Sequence, residues 1–226
     1  MLKIIAIIPA RKGSKRLKGK NIRKYKGIPL LVHSIKHSLN SKYIQRTIVS
    51  TDSEKYTKIA IKSGSEVPFL RPKKISQDRS SDLECFKHCL NYLKKKENYV
   101  PDIIVHLRPT YPIREKNLID NCIRMLLKKN FFHSLRTICI SKDPIEKMWY
   151  KRKNNSVFNP ITKKNQNHSV ATQSLRKSYQ QNGCVDVLRV KFTILKNKIA
   201  GDKILGYEMS HNFDIDTIKD FKKLSN

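Results

Sequence analysis

The residues best suited to chemistry form a basic loop near the start of the sequence. The segment from 9 to 21 reads Pro-Ala-Arg-Lys-Gly-Ser-Lys-Arg-Leu-Lys-Gly-Lys-Asn, with six cationic side chains and two glycines. Glycines let backbone amides approach an anion closely, and Lys and Arg stabilise phosphate through charge-assisted hydrogen bonds. We therefore predict that this loop binds phosphate groups. A solvated basic loop without a ligand is the alternative, because charge runs often only face solvent.

Two common phosphate-binding motifs do not fit this loop. The Walker A motif has four residues between its first glycine and the Gly-Lys pair, whereas five residues separate Gly13 from Gly19. Asn21 also stands where that motif carries Ser or Thr, and no G-x-G-x-x-G sequence occurs. The pattern therefore argues against a P-loop NTPase and against a dinucleotide-binding loop.

A pair of carboxylates forms a second candidate site near the other end of the sequence. Asp214 and Asp216 are one residue apart, and on an extended segment such residues point to the same side. Mg²⁺ takes oxygen ligands, usually one or two carboxylates plus substrate phosphates. The pair is a candidate magnesium site. The alternative is that one of them caps the helix that begins at Thr217.

Other metal patterns are disfavoured. The five cysteines are scattered and contain no C-x-x-C pair, so we expect reduced thiols and no zinc site. His33 and His37 are four residues apart on a predicted helix, but Ser34 stands where the H-E-x-x-H motif has its Glu. These two histidines are better explained as ordinary helix residues.

Composition and charge narrow the class of protein. The sequence has 226 residues and a formal net charge of +30, and no Asp or Glu precedes Asp52. Such a charge attracts polyanions, either nucleic acid or a triphosphate. Nucleic acid is disfavoured because aromatic residues are few (8%) and no RNP, zinc-finger or helix-turn-helix motif occurs. No apolar run approaches the roughly 20 residues that span a bilayer, so we expect a cytoplasmic protein with no membrane partner.

Alternating strand and helix patterns predict the elements that position these residues. Continuous apolar runs predict buried strands, and apolar residues at helical spacing predict helices. Ser81 and Glu84 have capping-box spacing, and Asp52 or Ser53 is expected to cap an earlier helix. Strands are predicted at 4–8, 47–50, 102–107, 134–140 and 184–189, and helices at 29–39, 52–63, 81–96, 115–128 and after 217.

This order of elements predicts an α/β fold, a three-layer α/β/α Rossmann-like sandwich with a mostly parallel sheet. Ligands of such sheets bind beyond the carboxyl ends of the strands, where we expect the loops 9–21, 50–53 and 108–114. Residues 142–181 are polar and lack a clear period. The aromatic pair Trp149 and Tyr150 near their start suggests an arm that packs on another surface.

Several short motifs occur in an order that resembles a known family. They are Ile7–Lys15 with Lys20-Asn21, Gly27–Leu31, Ile48–Asp52, Leu70–Pro72, Arg108–Arg114, Asn182-Gly183 and Asp214–Asp216. Each is weak alone. Their succession along nearly the whole sequence resembles the acylneuraminate cytidylyltransferases, and more loosely the CMP-ketodeoxyoctonate synthetases. The resemblance implies a nucleotidyltransferase fold in one domain, residues 1–226, with residues 142–181 inserted as a small protruding dimerisation arm.

The resemblance also implies roles for individual residues. CTP would be bound by Arg11, Ser14, Lys15, Lys20, Asn21, Arg71 and Ser81. The sugar would be bound by Arg108, Thr110, Arg114 and Asn182. Mg²⁺ would be held by Asp214 and Asp216, and catalysis would involve Arg11, Lys15 and Asp216.

The implied reaction transfers CMP from CTP to the anomeric hydroxyl of an acidic sugar, a nonulosonic acid such as N-acetylneuraminate, and releases pyrophosphate. Catalysis would come mainly from positioning and from charge stabilisation by cations and metal. No convincing general base is visible in the sequence. The family also implies a homodimer with Trp149 and Tyr150 as contacts, the alternative being that they pack in the core of their own chain.

Departures from the family pattern fall on the sugar side and on the arm. Arg108 stands where sialate-activating members usually carry Gln, and Thr172, Arg176 and Gln180 also differ from common family residues. The acceptor sugar is therefore left open. Three alternatives remain. The first is a sugar nucleotidyltransferase that uses UTP, GTP or CTP with another acceptor such as ketodeoxyoctonate, the second is a basic nucleic-acid-binding protein, and the third is an inactive relative.

Overall fold

The structure is a computed structural model that describes residues 2–15, 17–151, 158–162 and 167–225. Its strands are β1 (Ile4–Pro9), β2 (Lys24–Tyr25), β3 (Ile28–Pro29), β4 (Arg46–Ser50), β5 (Ile103–His106), β6 (Ser134–Ile140), β7 (Trp149–Lys151), β8 (Phe158–Pro160), β9 (Tyr179–Arg189) and β10 (Ile204–Met209). Its α-helices are α1 (Leu30–Leu39), α2 (Glu54–Lys62), α3 (Asp82–Glu97), α4 (Leu118–Lys128) and α5 (Ile218–Ser225).

Six strands form the central sheet, in the order β10-β6-β9-β5-β1-β4. β1 runs parallel to β4 and β5, and β6 runs parallel to β10. Of these six, β9 alone runs antiparallel to its neighbours, β5 and β6. Parallel strands require crossover connections, which the intervening helices supply. The predicted α/β fold with a mostly parallel sheet is confirmed.

The sequence of β1 explains why helices cover both faces of the sheet. Every side chain from Ile4 to Ile8 is at most 3% exposed. Ile4, Ala6 and Ile8 pack in the core cluster that contains residues of α1, α2 and α4. Ile5 and Ile7 pack in a second cluster with residues of α3. Because successive side chains point to opposite faces, a continuous apolar run needs two covering layers, as in the predicted three-layer sandwich.

Two helix starts follow the caps predicted from the sequence. The Ser53 hydroxyl accepts a hydrogen bond from the Tyr56 amide at the start of α2. Ser81 and Glu84 form both halves of a capping box, with the Ser81 amide donating to Glu84 Oε2 at 2.7 Å. This cap fixes the first turn of α3 beside the functional site described below.

Some elements were not apparent from the sequence. β9 begins at Tyr179 instead of at Cys184, because residues 179–181 pair with β6 beyond a register shift between Arg136 and Ile138. These residues are polar, so strand pairing and not hydrophobicity defines this end of the strand. The edge strand β10 and the short pairs β2–β3 and β7–β8 were also missed, since their patterns are brief or partly exposed.

The β7–β8 pair lies within the predicted arm, of which residues 152–157 and 163–166 fall outside the described part of the chain. Trp149 is 46% exposed and Tyr150 is 65% exposed, so packing of this pair in the core of its own chain is not observed. The dimerisation role of the arm and the single-domain division stay predictions. Across the described ranges, no helix combines the length and apolar character needed to cross a membrane.

Candidate functional site

The predicted phosphate loop lines a cleft at the carboxyl ends of β1 and β5. The cleft has a volume of about 210 Å³ and continues into an open extension that reaches Asp216. We refer to both together as the central cleft. The predicted nucleotide-binding residues that line it are Arg11, Ser14, Lys15, Lys20, Asn21, Arg71 and Ser81. The structure therefore brings together side chains from three separate stretches of the sequence.

Parallel pairing accounts for this convergence. β1 lies between β4 and β5, so the loops that follow β1 and β5 leave the sheet at the same edge. The loop after β4 behaves differently from the expectation. Asp52 Oδ1 accepts a hydrogen bond from the Lys12 amide at 2.7 Å, and Asp52 lines a separate cleft with Lys12 and Lys18. Only two of the three predicted loops therefore meet in the central cleft.

The loop cations are held around two carboxylates from elsewhere in the chain. Arg11 Nη1 lies 2.7 Å from Asp78 Oδ1, and Lys15 Nζ lies 2.5 Å from Asp78 Oδ2. These ion pairs, with Lys15 and then Arg11 as donors, hold the pKa of the Asp78 carboxyl below its usual range. Lys20 Nζ lies 3.1 Å from Asp216 Oδ1 and also donates to the Ile215 carbonyl. Arg11, Lys15 and Lys20 therefore surround carboxylate oxygens in the structure, and phosphate oxygens could be bound by the same kind of contact.

Arg71 lines the central cleft, and two of its guanidinium nitrogens have no hydrogen-bond partner among the described residues. The residue is only 6% exposed, and its Nε and Nη2 atoms are buried without a hydrogen-bond partner in the described part of the chain. Its backbone amide donates to the Thr51 carbonyl at 2.7 Å, which fixes the residue beside β4. A buried guanidinium with unpaired donors is energetically costly, so its position favours a polar ligand in the cleft.

Two of the predicted sugar-binding residues, Arg108 and Thr110, also line the central cleft. Arg108 is partly committed to the protein: its Nη1 donates to the Gly183 carbonyl and to Asp186 Oδ2, both at 3.2 Å. The Thr110 carbonyl accepts the Ile215 amide at 2.9 Å. Thr110 therefore connects the loop after β5 to the segment that carries the Asp214–Asp216 pair.

The other two predicted sugar-binding residues lie outside the central cleft. The Arg114 guanidinium is buried and donates to the carbonyls of Arg108, Tyr111 and Cys184. Asn182 is 2% exposed, and its side-chain oxygen accepts from the Thr137 hydroxyl at 2.6 Å. Both side chains form hydrogen bonds within the protein and stabilise the fold. Neither side chain lines the central cleft.

The Asp214–Asp216 segment presents two carboxylates near the loop cations. Ile215 is fully buried between them, which anchors the segment. Burial raises the pKa of Asp214, and the nearby Asp216 charge adds to this rise. Asp214 Oδ1 is buried without a hydrogen-bond partner among the described residues. This oxygen of Asp214, close to the carboxylate of Asp216, is suited to binding a divalent cation. Among the described residues, no group of three or more His, Cys, Asp or Glu side chains could hold a metal ion.

Three residues of this region were missed from the sequence. His106 and Asp82 line the central cleft, and Asp186 lies directly beside His106 on the neighbouring strand. A signal was present, because His106 and Asp186 are single ionisable residues inside otherwise apolar strand segments. Their pairing could not be read from the sequence, since it depends on the register of β9 against β5.

A three-layer α/β sandwich with a cation-lined cleft at the strand ends is compatible with a nucleotidyltransferase. The model of the cytidylyltransferase family matches residues 5–226, and the chain belongs to that family. The resemblance found in the sequence motifs is thereby confirmed, and the chain is an enzyme of the nucleotidyltransferase class.

Individual relatives agree with this assignment. A pseudaminic acid cytidylyltransferase of Campylobacter jejuni is 29% identical over 98% of this chain and 94% of its own length. A CMP-N,N'-diacetyllegionaminic acid synthase of Legionella pneumophila is 34% identical over 55% of this chain and 53% of its own length. Among solved structures, a CMP:2-keto-3-deoxy-manno-octonic acid synthetase complexed with CTP superposes on this chain with a TM-score of 0.69. The match covers 99% of this chain and 97% of that chain at 17% identity, so it supports the fold alone.

Replacing Asp78 tests whether this carboxylate competes with a phosphate ligand for the same cations. In Asp78→Asn, Arg11 and Lys15 lose their internal partner, so we expect CTP to bind about two- to fivefold more tightly, the range of an exposed ion pair. Isothermal titration at low and high salt measures this change. Asp202→Asn, which removes another exposed ion-paired aspartate, is the matched control and should leave affinity unchanged. Weaker binding in Asp78→Asn would mean that Asp78 is itself a ligand-binding group.

Arg114→Met tests the bracing role of the buried guanidinium. The variant leaves buried carbonyls without a donor, so we expect the free energy of unfolding to fall by about 2–5 kcal/mol. Urea unfolding measures the loss, and Arg124→Met, an exposed position on α4, is the matched control. A variant as stable as the control, but with weakened sugar binding, would instead place Arg114 in the sugar site.

Proposed function

We propose that the chain transfers CMP from CTP to the anomeric hydroxyl of a nonulosonic acid and releases pyrophosphate. The observation that carries this proposal is the grouping of the loop cations with the unpartnered Arg71 donors in one cleft of a cytidylyltransferase-family chain. Relatives named for pseudaminic and legionaminic acids support an acidic nine-carbon sugar as the acceptor.

The triphosphate is proposed to lie along the loop that follows β1. Arg11, Lys15 and Lys20 offer three positive charges there, and binding replaces the Asp78 carboxylate with phosphate oxygens. Elsewhere in the central cleft, the unused donors of Arg71 would bind polar atoms of the nucleoside. This orientation puts the α-phosphorus between the loop cations and the residues that follow β5.

Asp214 and Asp216 are proposed to hold Mg²⁺ together with phosphate oxygens. When bound, the metal neutralises negative charge on the phosphates. Within the chain, Lys20 connects this segment to the phosphate loop through Asp216 and the Ile215 carbonyl. That connection would keep the loop and the carboxylates in a fixed relation while the substrates react.

The acceptor is proposed to lie on the side of the central cleft formed by Arg108 and Thr110. The Arg108 side chain is 26% exposed even though it contacts Asp186, so it retains a surface toward the cleft. A guanidinium there would attract the carboxylate of a sugar acid. In-line attack on the α-phosphorus then depends mainly on positioning and on charge stabilisation, which contribute the larger part of catalysis in such transfers.

We also propose that the enzyme acts as a cytoplasmic homodimer through residues 142–181. The support is the exposure of Trp149, Tyr150 and Phe158, which is 52% exposed, on the β7–β8 pair. Aromatic side chains are enriched at protein interfaces, where they contribute large contact areas.

Pyrophosphate release tests the proposed reaction directly. Purified protein is mixed with Mg²⁺ and CTP and with each of pseudaminic, legionaminic and N-acetylneuraminic acids and ketodeoxyoctonate, with UTP, GTP and ATP as nucleotide controls. We expect release that requires CTP and one nonulosonic acid. Asp216→Asn should lower kcat at least 100-fold and weaken the response to Mg²⁺, because one proposed metal ligand loses its charge. Asp202→Asn should match the wild type.

Two results would overturn the proposal. Release with UTP or ATP in place of CTP would show a different nucleotide specificity. Release with ketodeoxyoctonate alone would show that the acceptor class is wrong while cytidylyl transfer stands.

A further inference from the structure

A row of ionisable side chains crosses the sheet at the base of the central cleft. His106 on β5 lies directly opposite Asp186 on β9, and Asp186 lies directly opposite Arg136 on β6. Residues directly opposite on adjacent strands share a face of the sheet, so these three side chains are neighbours. His106 is the last residue of β5, so the row lies where the loop after β5 begins.

Asp186 is the centre of this row and is kept ionised. It is 1% exposed, and its Oδ2 lies 3.3 Å from His106 Nδ1 and 3.2 Å from Arg108 Nη1. Arg136 Nε lies 3.7 Å from its other oxygen. Burial alone would raise the pKa of Asp186, but the hydrogen bond with His106 and the charge of Arg108 hold the pKa below its usual range. The carboxylate therefore accepts hydrogen bonds and donates none.

An ionised Asp186 determines which nitrogen of His106 carries hydrogen. Because the carboxylate accepts, Nδ1 carries the hydrogen, and in neutral imidazole Nε2 is left with its lone pair. Nε2 is buried and has no hydrogen-bond partner among the described residues. The nearest acidic oxygen, Asp82 Oδ2, is 3.9 Å away, and the edge of Phe86 packs on the ring at a centroid distance of 5.0 Å.

The hydrogen bonds of His106 favour a reactive role over a role in core packing alone. A histidine that serves only the core normally has both nitrogens satisfied, because an unpaired buried polar atom is costly. Here Nδ1 contacts Asp186, whereas Nε2 has no hydrogen-bond partner among the described residues and lies 3.9 Å from Asp82 Oδ2, in a residue that lines the central cleft. The charged groups that face the ring are Asp186 on β9, Asp82 on α3 and Arg108, which contacts both carboxylates.

We infer that His106 is the general base that accepts the proton of the attacking sugar hydroxyl, and that Asp186 is the residue that positions it. This inference rests on the proposed function. As the hydroxyl oxygen forms its bond to the α-phosphorus, its O–H bond breaks and the proton moves to Nε2. The bond from the α-phosphorus to the bridging oxygen breaks, and pyrophosphate leaves with that electron pair. Asp186 stabilises the resulting imidazolium, which later returns its proton to solvent.

Substitution of His106 tests this role by separating turnover from binding. In His106→Asn and His106→Gln, we expect kcat to fall about 100-fold or more, the usual contribution of a general base, while the Kd for CTP changes less than twofold. The pH profile of kcat should differ between the wild type and both variants. His133→Asn, at the opposite end of the sheet, is the matched control and should retain wild-type kcat and pH profile.

A measurement independent of turnover uses nitrogen-15 NMR of the histidine side chains with CTP bound. We expect the neutral His106 ring of the wild type to carry hydrogen on Nδ1 and a lone pair on Nε2. In Asp186→Asn the amide can donate to Nδ1, so the hydrogen should move to Nε2 and kcat should fall although the histidine is present. Hydrogen on Nε2 in the wild type would overturn the inference.

The outcomes distinguish this inference from the proposed function. If the wild type transfers CMP and the His106 variants keep its rate and pH profile, the general-base role is wrong and the proposed function stands. Equal losses of stability, CTP binding and kcat in both variants would indicate a packing residue and would also overturn the role. If the wild type binds CTP but uses none of the sugar acids, the proposed function fails, and the NMR result alone decides the protonation of His106.

Discussion

The structure depends on how a concentration of positive charge is held at one edge of the sheet. No acidic residue precedes Asp52, so the loop after β1 contains no internal counter-charge. The fold brings Asp78 and Asp216 to this loop from distant parts of the sequence. Like charges repel when they lie close together, and β1, which is buried on both faces, anchors the start of the loop. The positive charge of the loop, which Asp78 and Asp216 partly neutralise within the protein, also makes the cleft suitable for a triphosphate.

The antiparallel strand β9 is the second organising feature, because it inserts between β5 and β6 and places Asp186 beside His106, a residue that lines the cleft. Its segment from Asn182 to Asp186 accepts hydrogen bonds from Arg108 and Arg114, which ties the loop after β5 to the sheet. Residues expected to contact a sugar are thereby divided into two groups. Arg108 keeps one surface toward the cleft, whereas Arg114 is enclosed by carbonyl groups. Arg108, at the position where the resemblance led us to expect the Gln of sialate-activating members, therefore belongs to an ionic network that includes Asp186 and Asp82.

Much of the fold could be predicted from the sequence, because buried parallel strands appear in the sequence as continuous apolar runs. The cap formed by Ser81 and Glu84 could also be predicted, because it depends only on residues three positions apart. The convergence of the loops after β1 and β5 followed from the same pattern. Contacts that depend on strand register could not be predicted, and the His106–Asp186 pair is the main example. The position of Arg114 was also inaccessible, since a motif match gives a residue's place along the chain but not the direction of its side chain. The loop after β4 was expected in the cleft, yet Asp52 is drawn to the Lys12 amide instead.

We propose that CTP binds between the loop after β1 and the residues after β5, and hydrogen–deuterium exchange with and without CTP and Mg²⁺ measures which segments it covers. We expect slower exchange in peptides covering 9–21, 71–82 and 106–110. We expect no change at 37–41 and 116–120, which lie at a different cleft. Protection confined to the neighbouring cleft around Asp52 and Tyr56, with residues 106–110 unaffected, would contradict it.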